Sequence, residues 1–201
     1  NDAIYYPFSE ERFAAYQKGV DGIIEKVHAL GAKLVTLTPP PFDPLPGQKR
    51  GSLLPAGQDK YSYKEIYAGY DDVLKSYSKW LIGQRDRVAM VVDVHTPIND
   101  YLVVRRKQEP DFSLSGDGVH INHEGHAVLA QAVLADWGFD KSIRLNPELL
   151  RLVEFKQKIM HDAWLSHIGH KRPGVRPGLP MDKAEENVAA LTRKIQELLD
   201  R

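Results

Sequence analysis

The sequence predicts an α/β protein in which short parallel strands are flanked by amphipathic helices. Two β-branched apolar runs, at residues 33–38 and 88–94, have the length and composition of buried parallel strands. Around them, apolar residues recur every three or four positions, which is the helical period. The resulting order, α-β-α-β-α-α, is that of a layered α/β fold. A third observation qualifies this class. Two strands alone do not make a stable open sheet, so the fold is expected to be incomplete within these 201 residues.

The helices and strands follow in order. Residues 1–8 read as a loop. Ser9 then stands as an N-cap before Glu10 and Glu11, and Phe13, Tyr16, Val20, Ile23, Ile24 and Val27 form the apolar face of a helix that stops at Gly31. Lys33-Leu-Val-Thr-Leu-Thr38 is the first strand, ended by three prolines. Residues 39–63, rich in Pro and Gly, read as one long irregular segment, a length usually tied to function or mobility. A helix follows from Tyr67 to Gln84. The second strand occupies 88–94, and Thr96-Pro97 reads as an N-cap with proline at the first helical position, opening a helix to about Lys107. Residues 108–119 are a loop, and 124–137 a helix ended by Gly138. Beyond residue 140 the pattern changes to helices alone. Asn146-Pro147-Glu148 opens one that runs to about Ile168. Asp182 and Glu185 read as a capping box for another, whose seam is Val188, Leu191, Ile195 and Leu198. The expected division is therefore 1–140 and 141–201.

Composition excludes several classes. Lys+Arg and Asp+Glu are equal at 27 each, so the balance points neither to nucleic acid nor to an anionic membrane surface. Hydrophobic content of 42% is that of a globular chain. No apolar run is long enough for a membrane span. With no cysteine, disulfide scaffolds and thiolate metal sites are excluded. Neither compartment nor oligomeric state is assigned by these features, and the chain begins at Asn1 with no signal-peptide pattern after it.

Chemistry concentrates in Gly116-Asp-Gly-Val-His-Ile-Asn-His-Glu-Gly-His126. Asp117 and His120 stand three residues apart after a Ser/Gly-rich loop and before a helix. A carboxylate that fixes the tautomer of an imidazole, beside an imidazole that accepts a proton, is the base-and-orienter half of a nucleophilic triad. The alternative is a surface turn in which Asp117 caps the next helix.

This stretch and its surroundings resemble the SGNH (GDSL-type) serine hydrolases. Asp117-Gly-Val-His120 is similar to their last block, D-x-x-H. Asn1-Asp2 is similar to the end of their third block, G-x-N-D. The strands at Leu34–Pro40 and Val91–Pro97 look like their fourth and fifth. The resemblance covers residues 1–137. It implies a flavodoxin-like three-layer fold, here incomplete, with a helical C-terminal extension. It implies His120 as general base, Asp117 as its orienter and Asn1 as an oxyanion-hole donor. The family's G-D-S nucleophile block and its glycine oxyanion block are absent, as is the G-x of the third. The expectation is thus the C-terminal part of an esterase whose serine lies upstream, acting without cofactor on a small ester such as an acetyl ester of a carbohydrate. Many relatives of this type are exported, to secreted or periplasmic locations.

Rival readings remain. Gly51-Ser52-Leu53 lacks the aspartate of the nucleophile block, and Ser115 reads as a loop residue; no G-x-S-x-G occurs. His120, His123 and His126 are spaced by three, and His123-Glu-Gly-His126 is one residue short of the zincin spacing, so no metal is expected. Asp93 stands at a strand end, either catalytic by position or capping the helix after it. The basic loop 169–178, with His170, Lys171, Arg172 and Arg176, could hold an anionic group or merely connect two helices. Trp164 reads as core rather than as a sugar platform. The alternative for the whole chain is a non-catalytic fragment or helical interaction module.

Overall fold

The computed structural model describes residues 3–139, 146–171 and 174–200, and divides into two units, residues 1–141 and 142–201. The first unit carries helices α1 (Glu10–Ala29), α2 (Pro44–Arg50), α3 (Tyr70–Ile82), α4 (His95–Arg106) and α5 (His123–Asp136). Its strands are β1 (Val35–Leu37), β2 (Leu53–Leu54), β3 (Ile66–Tyr67) and β4 (Met90–Val92). The second consists of α6 (Pro147–His167) and α7 (Met181–Leu199), which pack on each other as a helical hairpin. This is a mixed helix–strand architecture with a few short parallel strands. No described helix is long and apolar enough to cross a membrane.

The two strands read from the sequence do pair in parallel, with Val35 opposite Met90, Thr36 opposite Val91 and Leu37 opposite Val92. Paired residues point to the same side. Over β4 that side is closed by Ile98 and Leu102 of α4 and Ala132 of α5, and Val92 is fully buried. Over β1 it is open, with Val35 and Leu37 about 40% and 41% exposed. The expectation of a buried β1 therefore fails, because α4 and α5 cover only its partner strand.

A second apolar cluster holds α1 and α3 to the N-terminal segment. Phe13 and Tyr16 of α1 lie against Tyr77 of α3, with ring centroids 5.0 and 4.7 Å apart, inside the range where tilted aromatic pairs attract. Tyr5, Phe42, Tyr70 and Leu74 complete the cluster. Ile23, assigned to the buried face, is instead half-exposed.

Other differences are local. The segment 39–63 contains α2, whose N-cap Asp43 accepts from the Leu45 amide and which closes at Gly51 with φ +64°. It also contains β2, which pairs in parallel with β3. Tyr67 belongs to β3, so α3 begins only at Tyr70. Thr96 does not cap α4. The N-cap position is Val94, and Asp93 just before it meets the first amides, its Oδ1 accepting from His95 and Thr96 at 3.0 and 3.2 Å. The N-cap of α7 is Pro180, without a side-chain bond, and Asp182 lies inside the helix, so the capping box does not form. Trp164 is half-exposed, its ring against His167 rather than in a core.

The two clusters should differ sharply from the surface in their tolerance of truncation. Leu102→Ala removes a buried side chain and should cost about 2–5 kcal/mol. Val104→Ala, on the exposed side of the same helix, should stay within about 0.5 kcal/mol. Urea denaturation of the two variants measures the contrast.

Candidate active site

The site is built where three segments meet: the N-terminal residues, the proline-rich stretch after β1, and the loop between α4 and α5. Asp43 joins the last two. It is buried, its Oδ2 lies 2.6 Å from both Arg106 of α4 and Ser113 Oγ, and its amide donates to the Gly118 carbonyl at 2.9 Å. Gly118 has φ +88°, and a Cβ there would stand 2.4 Å from the Asp43 carbonyl oxygen. Glycine is therefore required both by its backbone and by the close approach. From the other side, Arg50 of α2 donates to the Gly116 carbonyl at 2.7 Å.

Within this frame Ser115 and Asp117 wind the turn. Ser115 Oγ accepts from the Gly118 amide at 2.8 Å and donates to Asp117 Oδ1 at 3.0 Å. Asp117 Oδ1 also accepts from the amides of Val119 and His120, at 2.9 and 2.8 Å. Its other oxygen, Oδ2, lies 2.7 Å from His120 Nδ1. The aspartate thus performs two tasks with two atoms: Oδ1 shapes the loop and Oδ2 holds the ring. Burial opposes its ionisation, but the His120 ring, the two amides and Ser115 together outweigh burial and hold its pKa far below the usual carboxylate range. The His120 side chain is 77% exposed, and no described residue bonds its Nε2. The ring also edges a cavity of about 260 Å³ lined by Pro39, Pro40, Pro41, Phe42, Tyr70, Leu74 and Val119.

Asn1 lies outside the described residues. The segment just after it enters the site's apolar floor: Ala3 and Tyr5 are buried in the cluster that holds Phe42 and packs on Val119. Ile4 and Tyr5 both have left-handed backbone, with φ of 53° and 68°, a conformation costly for side chains of this size. The Tyr5 hydroxyl has its pKa raised, first by burial and then by the Asp117 charge.

The other candidates have ordinary partners. Ser52 follows the end of α2, and its hydroxyl donates to the Gly47 carbonyl. Ser115 is spent on the turn. His123 and His126 sit in the first turn of α5, and no group of three described His, Cys, Asp or Glu side chains could hold a metal ion. Asp93 meets the first amides of α4. Of the basic loop, Arg172 and Pro173 lie outside the described residues. Gly178 lies against α6, where a Cβ would meet the Asp162 backbone, and its amide donates to Ser166 Oγ at 2.6 Å.

A second histidine–aspartate pair escaped the sequence reading. His95, at the start of α4, is buried, with Nδ1 3.1 Å from the Pro39 carbonyl and Nε2 3.5 Å from Asp71 Oδ1. The two residues are 24 positions apart with no motif between them. The only sequence signal is a histidine three residues past a strand. Comparison with protein-family models, with curated proteins and with solved structures found no match to this chain.

Two outcomes follow from the geometry. Gly118→Ala should lose about 1–3 kcal/mol in urea denaturation and displace His120, because left-handed backbone and a backbone clash coincide there. Asp117 has a folded pKa below its unfolded one, near 3.9. Its stabilisation is therefore complete above about pH 5 and is lost as pH falls through the folded value. The gap in urea midpoint between the wild type and Asp117→Asn should narrow steadily from pH 5 to pH 2.

Proposed function

We propose that this chain carries the base-and-orienter half of a serine ester hydrolase of the SGNH type. The observation that carries the reading is the 2.7 Å contact between Asp117 Oδ2 and His120 Nδ1, made by a ring that edges a cavity and leaves Nε2 open among the described residues. With Nδ1–H donated to the carboxylate, Nε2 is the basic nitrogen. It removes the proton from a serine hydroxyl as Oγ attacks the ester carbonyl carbon. The imidazolium so formed is stabilised by Asp117. It returns the proton to the leaving alcohol, and a water repeats the sequence to free the acid. The serine comes from sequence outside these 201 residues, and Asn1 donates to the tetrahedral oxyanion, an interaction worth about 3–4 kcal/mol in comparable sites. No step calls on a cofactor. The substrate is a small ester, such as an acetyl ester of a carbohydrate, and the finer fold is a flavodoxin-like sheet of which β1 and β4 are two neighbours.

The buried Ala3 and Tyr5 add support, since they pack in the cluster that holds Phe42 and adjoins Val119, two residues lining the cavity that His120 edges. The test is to express the chain with the sequence encoded ahead of Asn1 and to assay p-nitrophenyl acetate. His120→Ala should lower kcat/KM at least about a thousandfold, and Asp117→Asn about a hundredfold or more. Undiminished turnover in His120→Ala removes His120 from the chemistry. A folded protein with no turnover at all favours the non-catalytic reading.

A further inference from the structure

The two helices of the C-terminal hairpin are built unequally. Along α7 runs one apolar stripe, from Met181 through Ala184, Val188 and Leu191 to Leu198, with steps of three and four residues. Along α6 run two. The first is Leu149, Leu152, Ile159 and Ala163. The second lies one position later, at Leu150, Val153, Met160 and Trp164, and Ile168 extends it. One position is a turn of about 100° around a helix. The apolar surface of α6 is thus about twice as wide as the stripe with which a surface helix meets one neighbour.

α7 takes the first stripe. Ala163 and Ala184 are the buried residues of the two helices. On the chain entering α7, Gly178 lies against the backbone at Asp162 and Ala163, and its amide donates to Ser166 Oγ. The second stripe is turned away from this contact, and its Trp164 and Ile168 are 50% and 64% exposed. Two alanines are a small core for helices of 21 and 19 residues, which draw most of their stability from packing.

We infer that the second stripe of α6 is a dimer interface, and that its occupant is the same stripe of a second copy of this chain, running antiparallel across a two-fold axis. The stripe is self-complementary in that direction. Contacts across a two-fold are reciprocal. With the axis between Gln157 and Met160, Val153 of one copy meets Trp164 of the other, Gln157 meets Met160, and Leu150 meets His167. The smallest side chain of the stripe then faces the largest, which fills the space evenly. A parallel pair would instead set Trp164 on Trp164 and Val153 on Val153. Glu154 and His161 flank the stripe on one side, and the same axis brings the acid of each copy opposite the imidazole of the other, twice. Gln157 is the polar residue within the seam, a feature that fixes register at some cost in stability. The two hairpins together supply the four helices of a bundle. The dimer does not depend on the ester-hydrolase reading.

The chain has no cysteine, so introduced thiols report contacts without background. Sedimentation velocity of the 201-residue chain should show a reversible dimer. Trp164→Ala should weaken association at least about thirtyfold while leaving the far-ultraviolet circular dichroism unchanged. On air oxidation, a mixture of Leu150→Cys and His167→Cys proteins should give a disulfide-linked pair of the two, and neither protein alone should cross-link to itself. A wild-type chain that stays monomeric at millimolar concentration overturns the inference. So does a folded Trp164→Ala protein that associates as strongly as the wild type. Leu150→Cys cross-linking to itself in preference to His167→Cys also overturns it, because that is the parallel arrangement. Should Trp164→Ala lose its helix, the cysteine pairing decides between the same two answers.

Discussion

The arrangement of the first unit depends on the carboxylate of Asp43. It is buried, paired with Arg106 of α4, bonded to Ser113 midway along the α4–α5 loop, and carried by the segment that leaves β1. Removing one partner of a buried pair leaves an uncompensated charge and typically costs 3–5 kcal/mol. The consequence reaches further than local stability. Without this tie, the proline ridge on one side of the cavity and the Asp117–His120 loop on the other would lose their common reference. Arg106 also donates to the Phe112 carbonyl at 2.9 Å, so the same guanidinium holds the middle of the loop. Two short, irregular stretches far apart in the chain are thereby tied to each other.

How much of this was legible in the sequence varied with the kind of force involved. Long amphipathic helices and β-branched strands were legible because burial imposes a period that repeats over many residues, as in Phe13 and Tyr16 on α1 or Val91 and Val92 on β4. The parallel pairing of β1 with β4 followed from their isolation between helices. Short elements were not legible. α2 is seven residues long and begins in a Pro-rich run, and β2 pairs with β3 over two residues, too few to establish a period. Capping was misassigned where several residues compete for the same orphan amides. Thr96 has the favoured residue type, but Asp93 reaches the His95 and Thr96 amides first from the end of the strand.

In the site, the local pair was legible and the distant one was not. Asp117 and His120 are three residues apart, so their meeting requires only a turn, and the Gly-rich sequence announces one. Asp71 and His95 meet only because α3 and the end of β4 are packed together, information that resides in the whole apolar pattern and in no short motif. The same holds for Tyr5, which burial brings together with Phe42 and Tyr70 from distant parts of the chain. The burial of β1 was misjudged for a related reason. Composition indicates that a strand suits an interior, but not whether a helix is present to cover each side of it.

The division of labour between the two oxygens of Asp117 has a consequence for how this position can change over evolutionary time. Oδ1 is committed to the loop and Oδ2 to the imidazole, so a replacement that serves only the turn gives up the carboxylate's hold on the ring. Asparagine would offer a single acceptor and a competing donor, and glutamate would carry both oxygens a methylene too far. Substitution at this position is therefore constrained by both contacts, and a change that spares the turn still alters the hold on the ring.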